Sequence, residues 1–149
     1  MRTNPYTLSI IVITKDDYAG LTRTIDSIPD PIRDVELLVI DGNHVNTASG
    51  LDPSVNAAWP KIIKQKSHGL FAAMNEGLLA AKGDYVLFMN GGDRFASIRS
   101  VDHMLDMLAL ARRRQLDCII FKTIVETHCG NHIGINPPTL NLELSQLRF

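Results

Sequence analysis

Three stretches of this chain are almost continuously apolar, and each ends on a polar residue that opens a turn. They are Leu8–Thr14 (LSIIVIT), Val35–Asp41 (VELLVID) and Asp84–Asn90 (DYVLFMN). A strand with one wet face alternates apolar and polar side chains, whereas a strand covered on both faces is apolar nearly throughout. Helices must then lie on both sides of the sheet, and helix-like stretches separate these strands. The pattern predicts an α/β fold: a Rossmann-like sandwich with a mostly parallel central sheet flanked by helices.

The intervening segments carry the punctuation such a fold needs. Asp16 and Asp17 offer capping oxygens to a helix whose apolar Leu21, Ile25 and Ile28 share a face, and Pro29 and Pro31 end it. Gly42-Asn43 turns the chain out of the second strand, and 43–60 reads as a loop with a short helical piece. Lys61–Lys66 reads as a short third strand. Ser67-His68-Gly69 leads into a helix with Phe71, Met74 and Leu78 at helical spacing, closed near Gly83. After the Gly91-Gly92-Asp93 turn, Ile98–Arg114 forms a long helix with Ile98, Val101, Leu105 and Leu108 on one face. Arg112–Arg114 suit the negative end of its dipole. Its Met104, Met107 and Leu108 are core packing. Asp117–Thr123 reads as a further strand that continues into a hairpin around Cys129-Gly130-Asn131; from Pro137 onward the pattern is weak.

The 149 residues fit one domain. A net charge of −1 gives no footprint for nucleic acid, and the aromatics are not interleaved with basic clusters. Two cysteines, Cys118 and Cys129, make no disulfide framework, which points to a reducing, cytoplasmic setting. No apolar run approaches the roughly 20 residues that span a bilayer, so membrane contact would be peripheral. His128, Cys129 and His132 cannot close a tetrahedral zinc site without a second cluster, and Cys-Gly-Asn is better explained as a turn.

In an open α/β sheet the ligand lies beyond the carboxyl ends of the strands. Those ends present Thr14, Lys15, Asp16 and Asp17, then Asp41 and Gly42, then Asn90, Gly91, Gly92 and Asp93. Each group alone is ordinary turn chemistry. A dinucleotide-dependent oxidoreductase is disfavoured, because no Gly-x-Gly-x-x-Gly follows the first strand and Asp16-Asp17 would repel a pyrophosphate there.

Four segments in order carry a resemblance. They are Leu8–Thr14, Glu36–Gly42, the GLFAAMNEG run of Gly69–Gly77, and the AKGDYVLFMNGGD run of Ala81–Asp93. Together they resemble the family 2 glycosyltransferases of the GT-A fold, most of all the bacterial exopolysaccharide and lipopolysaccharide transferases, including the colanic-acid type. The resemblance covers about residues 8–95, the nucleotide-sugar-binding half of such a domain. It implies an inverting transferase that moves a sugar from a nucleoside-diphosphate sugar, with uridine as the nucleoside, to a saccharide or lipid-linked acceptor. The setting it implies is surface polysaccharide synthesis in the cytoplasm, at the inner face of the membrane.

The same resemblance implies residue roles. Thr14, Lys15 and Asp16 would contact the nucleotide, and the Asp41 carboxylate would accept the imide N–H of the base; alternatively Asp41 caps the turn before Gly42. Gly69 would start a helix whose N–H groups face the diphosphate-sugar, with Ser67 standing where the family commonly has Asp. Asn75 is a ligand contact or a buried, helix-stabilising amide. Asn90-Gly91-Gly92-Asp93 occupies the place of the Asp-x-Asp metal motif, with Asp93 as ligand to a divalent cation, Mn or Mg. Asp93 could instead cap the following helix. The resemblance puts the general base in a later segment, expected beyond Phe149; Glu126 and Glu143 sit in no recognisable motif. The competing expectation is a non-catalytic nucleotide-binding remnant of a truncated transferase.

Overall fold

The computed structural model describes residues 4–29, 32–43 and 59–126, together with the backbone of 132–135. The chain divides into two compact units, Met1–Leu110 and Ala111–Phe149. In the first, β1 (Tyr6–Thr14), α1 (Tyr18–Asp26), β2 (Val35–Asp41), β3 (Lys61–Lys64), α2 (Leu70–Ala80) and β4 (Gly83–Asn90) follow one another, and α3 (Ile98–Arg114) begins after β4. The four strands form one sheet in the order β3-β2-β1-β4, and every pairing is parallel. The α/β architecture read from the sequence is the observed one.

α1 packs against β1 and β4, and α2 against β1 and β2. This coverage explains the apolar runs: Ile10, Ile11, Val12, Leu38, Val39 and Ile40 are fully buried at the centre of the sheet. Alternation along the strands sends Ile11, Leu38 and Ile40 toward one face, where they cluster with Ala73 of α2. β4 lies at the sheet edge, and only its Met89 is buried.

The amino end of the sheet is fastened by a polar pin. The fully buried Ser9 hydroxyl donates to Glu36 Oε1 at 2.6 Å and accepts the Gly83 N–H at 2.8 Å. Glu36 Oε1 also accepts the Lys82 N–H. Entry into β4 is thus tied to β1 and β2 by side chains at the end opposite Thr14 and Asp41.

Several sequence expectations shift. α1 stops at Asp26 and is capped by Ser27, so Ile28 is buried just outside the helix; Pro31 lies outside the described residues. Asp17 alone caps the start of α1, its Oδ1 accepting the Gly20 N–H at 2.7 Å, while Asp16 takes a positive φ of 57°. β3 ends at Lys64 rather than Lys66, because it pairs with β2 only as far as Asp41. In α3, Val101, Met104 and Leu108 are buried, Leu105 and Met107 are half-buried, and Ile98 is exposed.

The packing of α2 is not set by its large apolar residues. Phe71 and Leu78, which stand at helical spacing, are 78% and 53% exposed, and the buried residues are Ala73 and Gly77. A Cβ on Gly77 would come within 2.5 Å of Ile11 Cγ2 and 3.3 Å of Ile40 Cγ1. The helix lies so close to the sheet that its small residues, not its large ones, face inward.

In the second unit the strand expected at Asp117–Thr123 begins only at Thr123. β5 (Thr123–Glu126) pairs antiparallel with β6 (His132–Ile135), Glu126 opposite His132. Among the described residues the ladder starts at Thr123, which pairs with Ile135. The Cys129-Gly130-Asn131 turn and the 44–58 segment lie outside the described residues.

Candidate nucleotide-sugar site

Parallel register brings the strand ends into one row. Thr14 pairs with Asp41, Ile13 with Asn90, and Asp41 with Lys64. The loops leaving all four strands therefore start at the same edge of the sheet. Backbone bonds continue the row past the strands: Gly42 N–H donates to Thr14 O at 2.9 Å, Gly91 N–H to Ile13 O at 2.8 Å, and Gln65 N–H to Asp41 O at 2.9 Å.

Thr14 and Asp41 are buried at this edge, 3% and 2% exposed, while Lys15 and Asp16 are exposed. The Asp41 Oδ1 accepts the Asn43 N–H at 2.9 Å, so the turn-capping role is realised. A carboxylate has about four lone-pair positions and can accept several hydrogen bonds at once. Gly42 stands where a Cβ would meet Gln65 Oε1 at 2.6 Å, which keeps the β2 and β3 exits in contact.

After β4, the Asp93 Oδ2 accepts the Asn90 N–H at 2.7 Å, and the Asp93 N–H donates to Asn90 O at 3.0 Å. The carboxylate closes its own turn and is exposed. It does not cap α3, whose first turn is held by Ser97 Oγ accepting the Ser100 N–H at 3.2 Å. One hydroxyl of α1 and that of its C-cap brace this turn. Thr24 Oγ1 accepts the Gly92 N–H at 2.9 Å, and Ser27 Oγ accepts the Phe95 N–H at 3.2 Å.

The β3–α2 connection contributes the fourth loop. Gly69, with φ 103°, is the N-cap of α2 and offers no side-chain cap, so the first N–H groups of the helix have none. Asn75 is not brought to the edge. It is exposed and lies about 200° around the helix from Ala73 and from Gly77, the face on the sheet, so it is not a buried amide either.

Residues 9–136 match the model of the glycosyl transferase family 2. The chain belongs to that family. Among its relatives, an uncharacterized glycosyltransferase of Mycobacterium tuberculosis, found in two strains, is 33% identical over 113 residues, 72% of this chain and 42% of the relative. A cholesterol galactosyltransferase of Borreliella burgdorferi is 30% identical over 95 residues, 62% of this chain and 26% of that protein. The chain thus spans less than half the length of these curated relatives. In fold it is similar to S. aureus TarS. Residues 1–349 of TarS superpose with a TM-score of 0.58 at 20% identity, covering 73% of this chain and 33% of that one. A longer TarS structure gives 0.55 at 19%, covering 79% and 20%. The fold is therefore GT-A.

Within this family 2 chain, four side chains that build the edge were not singled out by sequence: Thr24, Ser27, Gln65 and Glu76. The Thr24 hydroxyl lies on a helix 66 residues before the Asn90 carbonyl it also approaches, at 3.4 Å. No local motif announces such a contact. Glu126, weighed as a general base, is exposed on β5, and Glu143 lies outside the described residues. Among the described residues no helix is long and apolar enough to cross a membrane.

Proposed function

We propose that this chain provides the nucleotide-sugar-binding part of an inverting glycosyltransferase that takes a uridine-diphosphate sugar and serves a saccharide or lipid-linked acceptor in surface polysaccharide synthesis. The observation that carries this reading is the shared carboxyl edge of the sheet, where Thr14 ends opposite Asp41 and Asn90 ends opposite Ile13, with four loops opening from it. Ligands of open α/β sheets are held at that edge. In this reading Thr14, Lys15 and Asp16 border the nucleotide, and Asp41 accepts the N–H of the base. Gly42, Gly91 and Gly92 keep the row clear of side chains, and Gly69 opens α2 toward the diphosphate.

The donors at the β4 exit suit a hard cation shared with the ligand. Among the described residues no group of three or more His, Cys, Asp or Glu side chains converges. Asp93, with one oxygen spent on the Asn90 N–H, supplies a single carboxylate oxygen to a Mn or Mg ion. Such ions bind through one or two carboxylates together with substrate phosphates and water, and here the Asn90 amide is the neighbouring oxygen donor. Bound there, the cation would offset the charge of the departing diphosphate. Asp93 and Asn90 hold and orient; no described residue is assigned as general base.

The test is a calorimetric titration of UDP with and without Mn²⁺. The reading predicts saturable binding that Mn²⁺ strengthens at least tenfold, with the gain lost in Asp93→Ala. Absence of UDP binding under both conditions would reject it. Binding without hydrolysis of any UDP-sugar would instead favour a nucleotide-binding module without transferase activity.

A further inference from the structure

We propose that Glu76 is a positioning residue for the diphosphate of the ligand, acting through the backbone of the β3–α2 loop; this rests on the nucleotide-sugar reading above. Glu76 sits in the second turn of α2 and reaches back along the helix to the loop that precedes it. Its Oε2 accepts the Lys66 N–H at 2.9 Å, and its Oε1 accepts the Ser67 N–H at 2.8 Å and approaches the Lys66 N–H at 3.1 Å. Two consecutive amides are thereby fixed by one carboxylate.

The same loop is held from its other side by Gln65, whose Nε2 donates to Gly69 O at 2.9 Å and also to Ser67 O. Gln65 is in turn anchored to the row, its N–H donating to Asp41 O. Side-chain bonds thus hold both flanks of Lys66–Gly69, a five-bond brace on four residues that have no regular structure of their own. Such an investment in an exposed loop is unexplained by packing, since Lys66, Ser67, His68 and Gly69 are all exposed.

What the brace presents is suited to an anion. Lys64 and Lys66 are exposed cations beside the row, and the loop leads directly into the N-terminus of α2, whose first N–H groups have no side-chain cap. Helix N-termini attract phosphate through those N–H groups and the helix dipole. Their value depends on the loop not collapsing onto them. Glu76 takes the two amides that would otherwise be free to rearrange, and their N–H dipoles stabilise its negative charge. The bonds to Lys66 and then Ser67 hold its carboxyl below the usual 4.5, so the clamp is ionised at neutral pH.

The experiment compares UMP and UDP binding in the whole chain for wild type, Glu76→Ala and Glu76→Gln, with thermal melts of each. UMP reports the nucleoside end at Asp41, and the UDP:UMP affinity ratio reports the diphosphate. The expected result is a UMP affinity within twofold of wild type in all three proteins. UDP should bind at least tenfold more weakly to Glu76→Ala. Glu76→Gln, whose Oε1 can still accept both amides, should recover to within about threefold of wild type. If Glu76→Ala does not fold, the UDP:UMP ratio of Glu76→Gln decides, expected two- to threefold below wild type. An unchanged ratio in the folded variants overturns the role of Glu76 and leaves the nucleotide site standing. Wild type that binds neither UMP nor UDP overturns both. Equal loss of UMP and UDP affinity marks Glu76 as merely structural and also overturns the proposal.

Discussion

Asp41 is a buried carboxylate at the end of a central strand, where burial is costly unless the charge has partners. One partner is the Asn43 N–H; the reading advanced above supplies another from a uracil ring. Asp41→Asn keeps an acceptor for Asn43 but loses the charge. Since hydrogen bonds to charged groups contribute about 1.5–3 kcal/mol, UDP affinity should fall about tenfold or more, read by calorimetry, with the fold retained. Ser9 provides the contrasting case at the far end of the sheet. Replacing it by Val leaves the half-buried Gly83 N–H without its 2.8 Å acceptor, so urea unfolding should register a loss of about 1–3 kcal/mol. UDP affinity should not change. Gly77→Ala tests close approach. Helix propensity favours Ala by about 1 kcal/mol, but the new methyl would collide with Ile11, and overpacking costs about 1–3 kcal/mol. A net loss of stability is expected, and a gain would show that α2 stands off the sheet.

At the scale of elements, α2 shows what periodicity reveals and what it hides. Its existence was legible from Gly69 and the apolar spacing that follows. Its orientation was not, because Phe71, Met74 and Leu78 carry the hydrophobicity while Ala73 and Gly77 carry the fit. The strands were easier, since β1 and β2 are covered on both faces and nothing in them competes with that signal. β5 begins later than composition suggests: Cys118–Phe121 is apolar, yet among the described residues the ladder starts at Thr123, opposite Ile135. The loop before α2 carries a pH signature. Glu76 is depressed below 4.5 chiefly by the Lys66 N–H, then by that of Ser67. A carboxyl with a lowered folded value contributes stability above its unfolded value, and loses it as pH falls through the folded one. The stability difference between wild type and Glu76→Ala should therefore be constant from pH 7 down to about 5 and shrink toward zero below 4.5, measured by denaturant melts.

For the molecule as a whole, the parallel register is what turns separate turn residues into a candidate site. Thr14, Asp41, Asn90 and Asp93 each fit ordinary turn chemistry, and sequence could propose their convergence only from the strand-end rule for open α/β sheets and from family likeness. The braces behind them, Thr24 on α1 with its cap Ser27, and Gln65 and Glu76 around α2, depend on contacts across tens of residues or across a loop, which no spacing rule exposes. The central claim is that a nucleoside diphosphate sits at the carboxyl edge of this sheet. Amide chemical-shift mapping during titration with UDP and Mg²⁺ tests it most directly. The account predicts shifts concentrated at 14–17, 41–43, 66–70 and 90–93, with Tyr6, Lys82 and Gly83 at the opposite edge unmoved. Shifts centred on that opposite edge, or none at saturating UDP, would contradict it.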